Sequence, residues 1–334
     1  MTKLKHAIKK IMRPLLNRFL KNEANSSGST PLPLCDLISN HVISLYNSTE
    51  YNDAFAEIIR KGVSHNSSIL YDAAIFSKFS RTIHTYSQQI PETTLQIGPG
   101  GSLGCEVLFC LSGIMNAWSL DPYTHLKFDF AKFMATLQKF FDVMNNFQTI
   151  HDRAAPRFTI PEYSVATASS YRIGKSSMQH FPSSTFESTG LPNDSIDFLF
   201  SNAVLEHARD PLQCVRETMR VLRKNGITAH QIDLRDHRDF SKPLLFLKHS
   251  DAQWQTIMQE YCAVDPFMYM NRWRSQDFVE IFEKEGFRIL EVTPNMTADD
   301  TTVDKALPCL DDRFKNYPRS ELGTISLFIV AEKT

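Results

Sequence analysis

The period of apolar and polar positions changes several times along the 334-residue chain, and each change marks an element. Leu4, Ile8, Ile11, Leu15 and Phe19 recur at helical spacing, so residues 1–22 read as an amphipathic helix. Residues 23–34 are polar and then proline-containing, as a linker would be. Helical periodicity returns in three pieces, 35–47, 51–62 and 68–87. The character changes at Leu95-Gln96-Ile97, a short apolar run that ends in the glycine-rich stretch Gly98 to Gly104. A helix over Cys105 to Ser112 follows, then a strand over Ala117 to Leu120 that stops at Asp121-Pro122. Residues 125–147 read as a long amphipathic helix and 148–170 as irregular. Tyr171 to Gly174 is the expected third strand and Ser195 to Ser201 the fourth. A helix from Pro211 to Arg223 stops at Lys224-Asn225-Gly226, and Ile227 to Leu234 is the fifth strand. Residues 239–270 are aromatic-rich and irregular; Ser275 to Glu285 is a helix, and Phe287–Val292 and Thr324–Ala331 are the last two strands.

Strands alternating with helices predict a doubly wound, mostly parallel α/β sheet covered on both faces. Right-handed crossovers bring the strand C-termini to one edge, where the glycine loop, Asp121, Ser201 and Asp233 would meet. The chain divides into a basic amphipathic helix (1–22), a helical extension (23–90) and a main domain (91–334) that contains a lid insertion at 239–274.

Composition narrows the classes of function. With a net charge of −1, the chain lacks the basic field that a phosphate-backbone binder needs, so nucleic acid is not expected as a partner. Its six cysteines form no CxxC pair, and no apolar run reaches 18 residues, which suits a reduced, cytoplasmic protein. Charge is nonetheless uneven, because residues 1–22 hold seven basic residues and no acid. Such a helix suits the inner face of an anionic membrane, and equally suits packing on its own domain or on a second subunit.

The glycine stretch carries the first chemistry. Gly98, Gly100 and Gly101 allow positive φ and close approach of a ligand to the backbone, and the following helix start offers free N–H groups. Asp121, at the end of the next strand, can accept both hydroxyls of a ribose. The dinucleotide fingerprint would require glycine at position 103, which is Leu, so a nicotinamide cofactor fits poorly.

In order, LQIGPGGSLG, SLDPY and SIDFLFSNAVLEHARDP with RETMRVLRKNGI resemble the successive motifs of class I S-adenosylmethionine-dependent methyltransferases. The resemblance covers roughly residues 90–235 and continues loosely to 331. It implies a Rossmann-like seven-stranded sheet with a reversed final strand, and S-adenosyl-L-methionine as cofactor. It also implies that Gly98, Gly100 and Gly101 line the cofactor, that Asp121 holds its ribose and that Ser201 and Asn202 lie under its methionine part. Two positions depart from the family pattern. Gln96 stands where the first strand usually carries an acid, which makes its contact to the cofactor's amino group weaker or water-mediated. Lys175 stands where an acid often binds the adenine amine, if Gly174 ends the third strand, with Ser176 or Ser177 as substitutes. Leu205-Glu206-His207 also resembles ubiquinone-type O-methyltransferases, whose Glu-x-x-Glu-His cluster can bind a divalent metal. The first acid is Ala203 here, so no metal is expected.

Methyl transfer to a hydroxyl needs a base, and His207, Asp233 and His237 are the candidates. HQIDLRDHRDFSKPL and NRWRSQDFVEIFEKEGF resemble a bacterial subset associated with surface polysaccharide synthesis. That resemblance implies O-methylation of a sugar or other hydroxylated acceptor, with Asn271, Arg272 and Arg274 as acceptor-binding candidates. The pattern leaves open a lipid, quinone or secondary-metabolite acceptor, a non-catalytic partner protein of the same fold, and the oligomeric state.

Overall fold

The computed structural model describes residues 69–122, 126–138 and 159–334. The amphipathic helix 1–22, the linker, the helical pieces 35–47 and 51–62, and much of the expected helix 125–147 lie outside the described residues. Within them, helix α1 (Ile69–Tyr86) leads into β1 (Thr93–Ile97), α2 (Gly104–Leu111) and β2 (Asn116–Asp121). Residues 130–138 are helical. Strands β3 (Tyr163–Thr167), β4 (Ser170–Ile173), β5 (Ser176–Pro182) and β6 (Ile196–Asn202) follow. Helix α3 (Pro211–Val221), β7 (Leu222–Asp233), α4 (Asp251–Val264), α5 (Ser275–Lys284), β8 (Phe287–Thr297), α6 (Asp300–Ala306), α7 (Arg319–Gly323) and β9 (Thr324–Lys333) complete the order.

The sheet has nine strands in the order β3-β4-β5-β2-β1-β6-β7-β9-β8, not seven. Strands β5, β2, β1, β6 and β7 pair in parallel, and β9 runs antiparallel between β7 and β8, as the reversed last strand should. The two extra strands form an antiparallel addition on the β5 edge. They correct the expectation of irregular structure at 148–170 and displace the third strand. Tyr171–Gly174 is β4 and the start of a turn; the parallel third strand is Ser176–Pro182. Gly174, at φ +57°, reverses the chain there. The true strand escaped detection because alternate buried positions hold Ser176 and His180 rather than an apolar run. Helix α4 lies in the stretch read as irregular; Ser250 and Gln253 cap it reciprocally, a signal masked by the aromatic residues around it.

Strand alternation divides the core between two faces. Phe198 and Phe200 point to the face covered by α1 and α2, where Phe79 lies 4.5 Å from Phe200 and Phe76 lies 5.0 Å from Phe109, centroid to centroid. Leu199, Ile232 and Leu327 point to the face covered by α3 and α5, with Val215, Phe278 and Phe282. A third apolar cluster, including Phe246, Trp254, Met270 and Phe314, fills the segment that follows β7 and the one before β9.

Helix α1 is tied to the glycine loop by buried polar groups. Ser102 Oγ donates to Asp72 Oδ2 at 2.8 Å and accepts from Gly104 N at 3.1 Å. A Cβ on Gly104 would fall 2.2 Å from Asp72 Oδ2 and 2.6 Å from the Phe133 ring, so the late glycine of the motif serves helix packing. Burial pushes the Asp72 carboxyl up from 3.8 to about 7, against the bond from Ser102. Because its folded-state pKa is raised, Asp72 contributes stability that is complete below about pH 4 and lost as pH rises through 7. We expect Asp72→Asn, which keeps an acceptor for Ser102, to gain stability over the native chain as pH rises from 5 to 8. Denaturant unfolding at the two pH values checks this; a difference independent of pH would contradict it.

Candidate active site

The crevice lies at the C-terminal ends of β1, β2, β6 and β7, where chain order reverses between β1 and β6. Gly98 and Gly100 both adopt φ +67°. A Cβ on Gly98 would fall 2.6 Å from Val204 Cγ2, whereas one on Gly100 would meet nothing within 4 Å. Gly98 therefore packs against the loop after β6, while Gly100 borders open space. Gly101 completes the turn before Ser102. Asp121 is buried, and its Oδ2 accepts from Gly100 N at 3.3 Å, so the carboxylate lies directly across from the loop. Gln96 is also buried, and its Oε1 has no hydrogen-bond partner.

These residues suit S-adenosylmethionine. The orphaned Gln96 Oε1 can accept from an ammonium group, Gly100 leaves room at the backbone, and Asp121 can accept from a ribose diol. The adenine position changes with the strand correction. Lys175 lies in the turn before β5, at the opposite edge of the sheet. Ser183 follows β5, at φ +66°, and donates from its backbone N–H to Asp121 O at 3.0 Å. Ser183, rather than Lys175, Ser176 or Ser177, therefore adjoins Asp121.

Ser201 and Asn202 do not both face the crevice. Ser201 is fully buried, with its Oγ 2.7 Å from His230 Nδ1, because strand alternation turns it to the α3/α5 face with Leu199. Thr228 Oγ1 holds the other ring nitrogen of His230 at 2.7 Å, and burial lowers that imidazole to about 3, so it is a neutral core group. Asn202 turns to α1, where its Nδ2 donates to Tyr71 OH at 3.4 Å and its Oδ1 accepts from Lys78 Nζ at 3.5 Å. Lys78 also donates to Gln231 Oε1 at 3.0 Å, and burial lowers its ammonium to about 8. The sequence singles out none of these α1 residues, because a polar position on an amphipathic helix looks the same whether it meets water or a neighbouring loop.

The three candidate bases do come together. His207 ends a short 3-10 turn, Leu205–His207, and its Nδ1 is 2.7 Å from Tyr269 O. That carbonyl selects the tautomer with hydrogen on Nδ1, which leaves Nε2 as an acceptor. Burial lowers His207, opposed by the Tyr269 bond, so the ring is neutral near pH 7. The His237 ring stands edge-on to it with centroids 4.9 Å apart. His237 Nε2 is 3.5 Å from Asp233 Oδ2 and makes no hydrogen bond. Asp233 accepts from Arg235 Nε at 2.9 Å and Nη2 at 2.6 Å. Burial alone would raise Asp233, but Arg235 and His237 outweigh it and hold the carboxylate well below its usual range, which makes it a poor base. Glu206, from the Leu205-Glu206-His207 motif, is buried beside them. Its Oε1 accepts from Asp233 N at 3.2 Å and its Oε2 has no partner. Burial, with the Asp233 charge, pushes its carboxyl up to about 8.

Asn271 fixes this turn from the lid side. Its Nδ2 donates to Leu205 O at 2.6 Å and Ala208 O at 3.1 Å, and its backbone N–H donates to Glu206 O at 3.0 Å. Arg272 and Arg274 are buried and serve backbone carbonyls instead of an acceptor. Arg272 donates to Phe246 O and ion-pairs with Asp251, and Arg274 donates to Leu234 O at 2.8 Å and Leu322 O at 3.2 Å.

Residues 157–229 match the family model described as "Methyltransferase domain", a span that contains β6, the Leu205–His207 turn and α3 and begins after the glycine loop. No curated protein matches the sequence. Among solved structures, an S-adenosylmethionine-dependent methyltransferase from Mesorhizobium loti is similar at 12% identity and TM-score 0.40, over 75% of this chain and 96% of that one. Geranyl diphosphate methyltransferase, solved with S-adenosylmethionine, is similar at 11% identity and TM-score 0.41, over 86% and 92%. The cyclase SpnF is similar at 11% identity and TM-score 0.38, over 78% and 81%. At these scores the likeness is to a loose chain trace only. Among the described residues, no helix is long and apolar enough to cross a membrane.

The reassignment of Ser201 gives a direct test. Ser201→Ala leaves His230 Nδ1 without its partner in the core and should cost about 1–3 kcal/mol of stability. Affinity for S-adenosylhomocysteine should stay unchanged in calorimetric titration; a variant of native stability with weakened affinity would contradict the assignment.

Proposed function

We infer that the chain is a class I S-adenosylmethionine-dependent methyltransferase that transfers the cofactor's methyl group to a hydroxyl of a sugar or other small hydroxylated acceptor. The observation that carries the reading is the neutral, tautomer-fixed His207 at the crevice edge, with His237 beside it. When bound, the cofactor supplies an electrophilic methyl on a sulfonium. The chain's residues then have to align the acceptor oxygen, exclude water and remove one proton. His207 Nε2 takes that proton as the oxygen attacks, and the Tyr269 carbonyl stabilises the resulting imidazolium through Nδ1–H. Arg235 keeps Asp233 ionised, so the carboxylate orients the histidines and favours the same charge. Gly98, Gly100, Gly101, Gln96 and Asp121 hold the cofactor.

Several features support a hydroxylated acceptor near the lid. Phe240, 55% exposed, lies under the Arg235 guanidinium at 4.5 Å, and Tyr269 lies under Arg209 at 4.7 Å; the two rings offer apolar faces beside charged groups, as sugar rings prefer. The basic amphipathic pattern of residues 1–22, outside the described residues, suits an acceptor held at a membrane surface. With Lys175 at the other end of β5, Ser183 follows the strand instead of an acid, and its hydroxyl can accept a hydrogen bond that a lysine cannot.

Calorimetric titration tests the reading. The native chain should bind S-adenosylmethionine and S-adenosylhomocysteine in the micromolar range, and Asp121→Ala should weaken both by about 10- to 100-fold. His207→Ala should keep S-adenosylhomocysteine affinity and lower kcat by roughly 10²- to 10⁴-fold on any accepted hydroxyl. A well-folded native chain that binds neither ligand would overturn the reading.

A further inference from the structure

We propose that Glu206, His207 and His237 form a binding site for one divalent transition cation of the zinc type, open on the crevice side. One ligand atom from each of the three residues lies within 4.8 Å of the others. The third ligand does not belong to the Leu-Glu-His motif: it comes from the loop after β7, which the parallel pairing of β6 and β7 brings alongside. Two imidazoles and one carboxylate are a donor set that suits zinc and its neighbours and leaves coordination positions for water or an acceptor oxygen. They suit magnesium poorly, since it prefers oxygen ligands alone.

Two further observations point to a ligand. Glu206 is 4% exposed and its Oε2 has no hydrogen-bond partner, a costly state for a buried carboxyl oxygen. The Arg235 guanidinium is committed to Asp233 by two hydrogen bonds and makes none to Glu206. His237 Nε2 has the Asp233 carboxylate beside it at 3.5 Å, a long contact that coordination could replace. The outer contacts are those of a metal site. Tyr269 O holds His207 Nδ1 and leaves Nε2 for coordination, while Asp233 N holds Glu206 Oε1 and leaves Oε2. Asn271 fixes the turn that carries two of the ligands. Bonds of about 2.0–2.2 Å need the donor atoms roughly 3.4 Å apart, so the triad closes by about an ångström on binding.

The consequence for catalysis rests on the methyltransferase reading; the binding itself does not. A cation on His207 Nε2 removes that atom as a base and replaces it with an acidifying centre for a bound hydroxyl.

Titration of the chelator-treated full chain with zinc chloride, followed by calorimetry, tests the site. One equivalent should bind at micromolar affinity or tighter, and magnesium chloride should give no saturable heat. His237→Ala and Glu206→Gln should each weaken zinc at least tenfold, while S-adenosylhomocysteine affinity and the far-ultraviolet circular dichroism remain native. Cobalt(II) should give a visible absorption band in the native chain that His237→Ala loses. Zinc binding that is absent, or equal in the native chain and both variants, overturns the proposal, leaving an ordered water as the partner of Glu206. Failure of the native chain to bind S-adenosylhomocysteine would overturn the methyltransferase reading alone.

Discussion

The parallel pairing of β1 with β2 on one side and β6 on the other is the constraint on which the rest of the site depends. Parallel strands end at a common edge, and their crossovers leave a crevice where the chain order reverses. Gly98, Asp121, Ser183 and the Leu205–His207 turn all reach that edge for the same reason: each follows or ends a strand of this set. A one-residue slip in β6 would turn Asn202 away from α1 and Ser201 out of the core, and would break the Ser201–His230 pair. The register is pinned by side chains that cannot change face, with Phe198 and Phe200 on one face and Leu199 on the other.

Packing around this edge serves the site as well as stability. The buried Asp72–Ser102–Gly104 link joins α1 to the glycine loop, and Lys78 and Tyr71 join the same helix to Asn202. On the other side, Asn271 holds the turn that carries Glu206 and His207. Arg274, just before α5, ties this segment to carbonyls at the end of α7, at the start of β9 and just after β7. The crevice is thus held between a helix that precedes the sheet and a segment that follows it.

Much of this was legible in the sequence. Strand, glycine loop, helix, strand and acid appear in order, so the strand edge where Gly98, Gly100 and Asp121 meet could be placed from these residues alone. The reversed last strand was implied by the family resemblance and is present as β9. What the sequence hid has physical causes. Strand β5 carries Ser176 and His180 at buried positions, satisfied by Cys110 O and by Ser119, so no apolar run announces it. The preceding glycine at 174 looked like a strand end when it is a hairpin turn, which moved Lys175 to the wrong edge. Arg272 and Arg274 looked like acceptor ligands because buried arginines that serve carbonyls have no distinguishing spacing. His237 could be picked as a polar residue after a strand, but its place beside Glu206 and His207 depends on the fold of the lid.

Hydrogen–deuterium exchange with and without S-adenosylhomocysteine tests the central claim, that one strand edge holds the cofactor. The account predicts slowed exchange at residues 98–104, 121–122, 183–186 and 202–207, with little change in the β3–β4 addition. Protection confined to other parts of the chain, or none at saturating ligand, would contradict it.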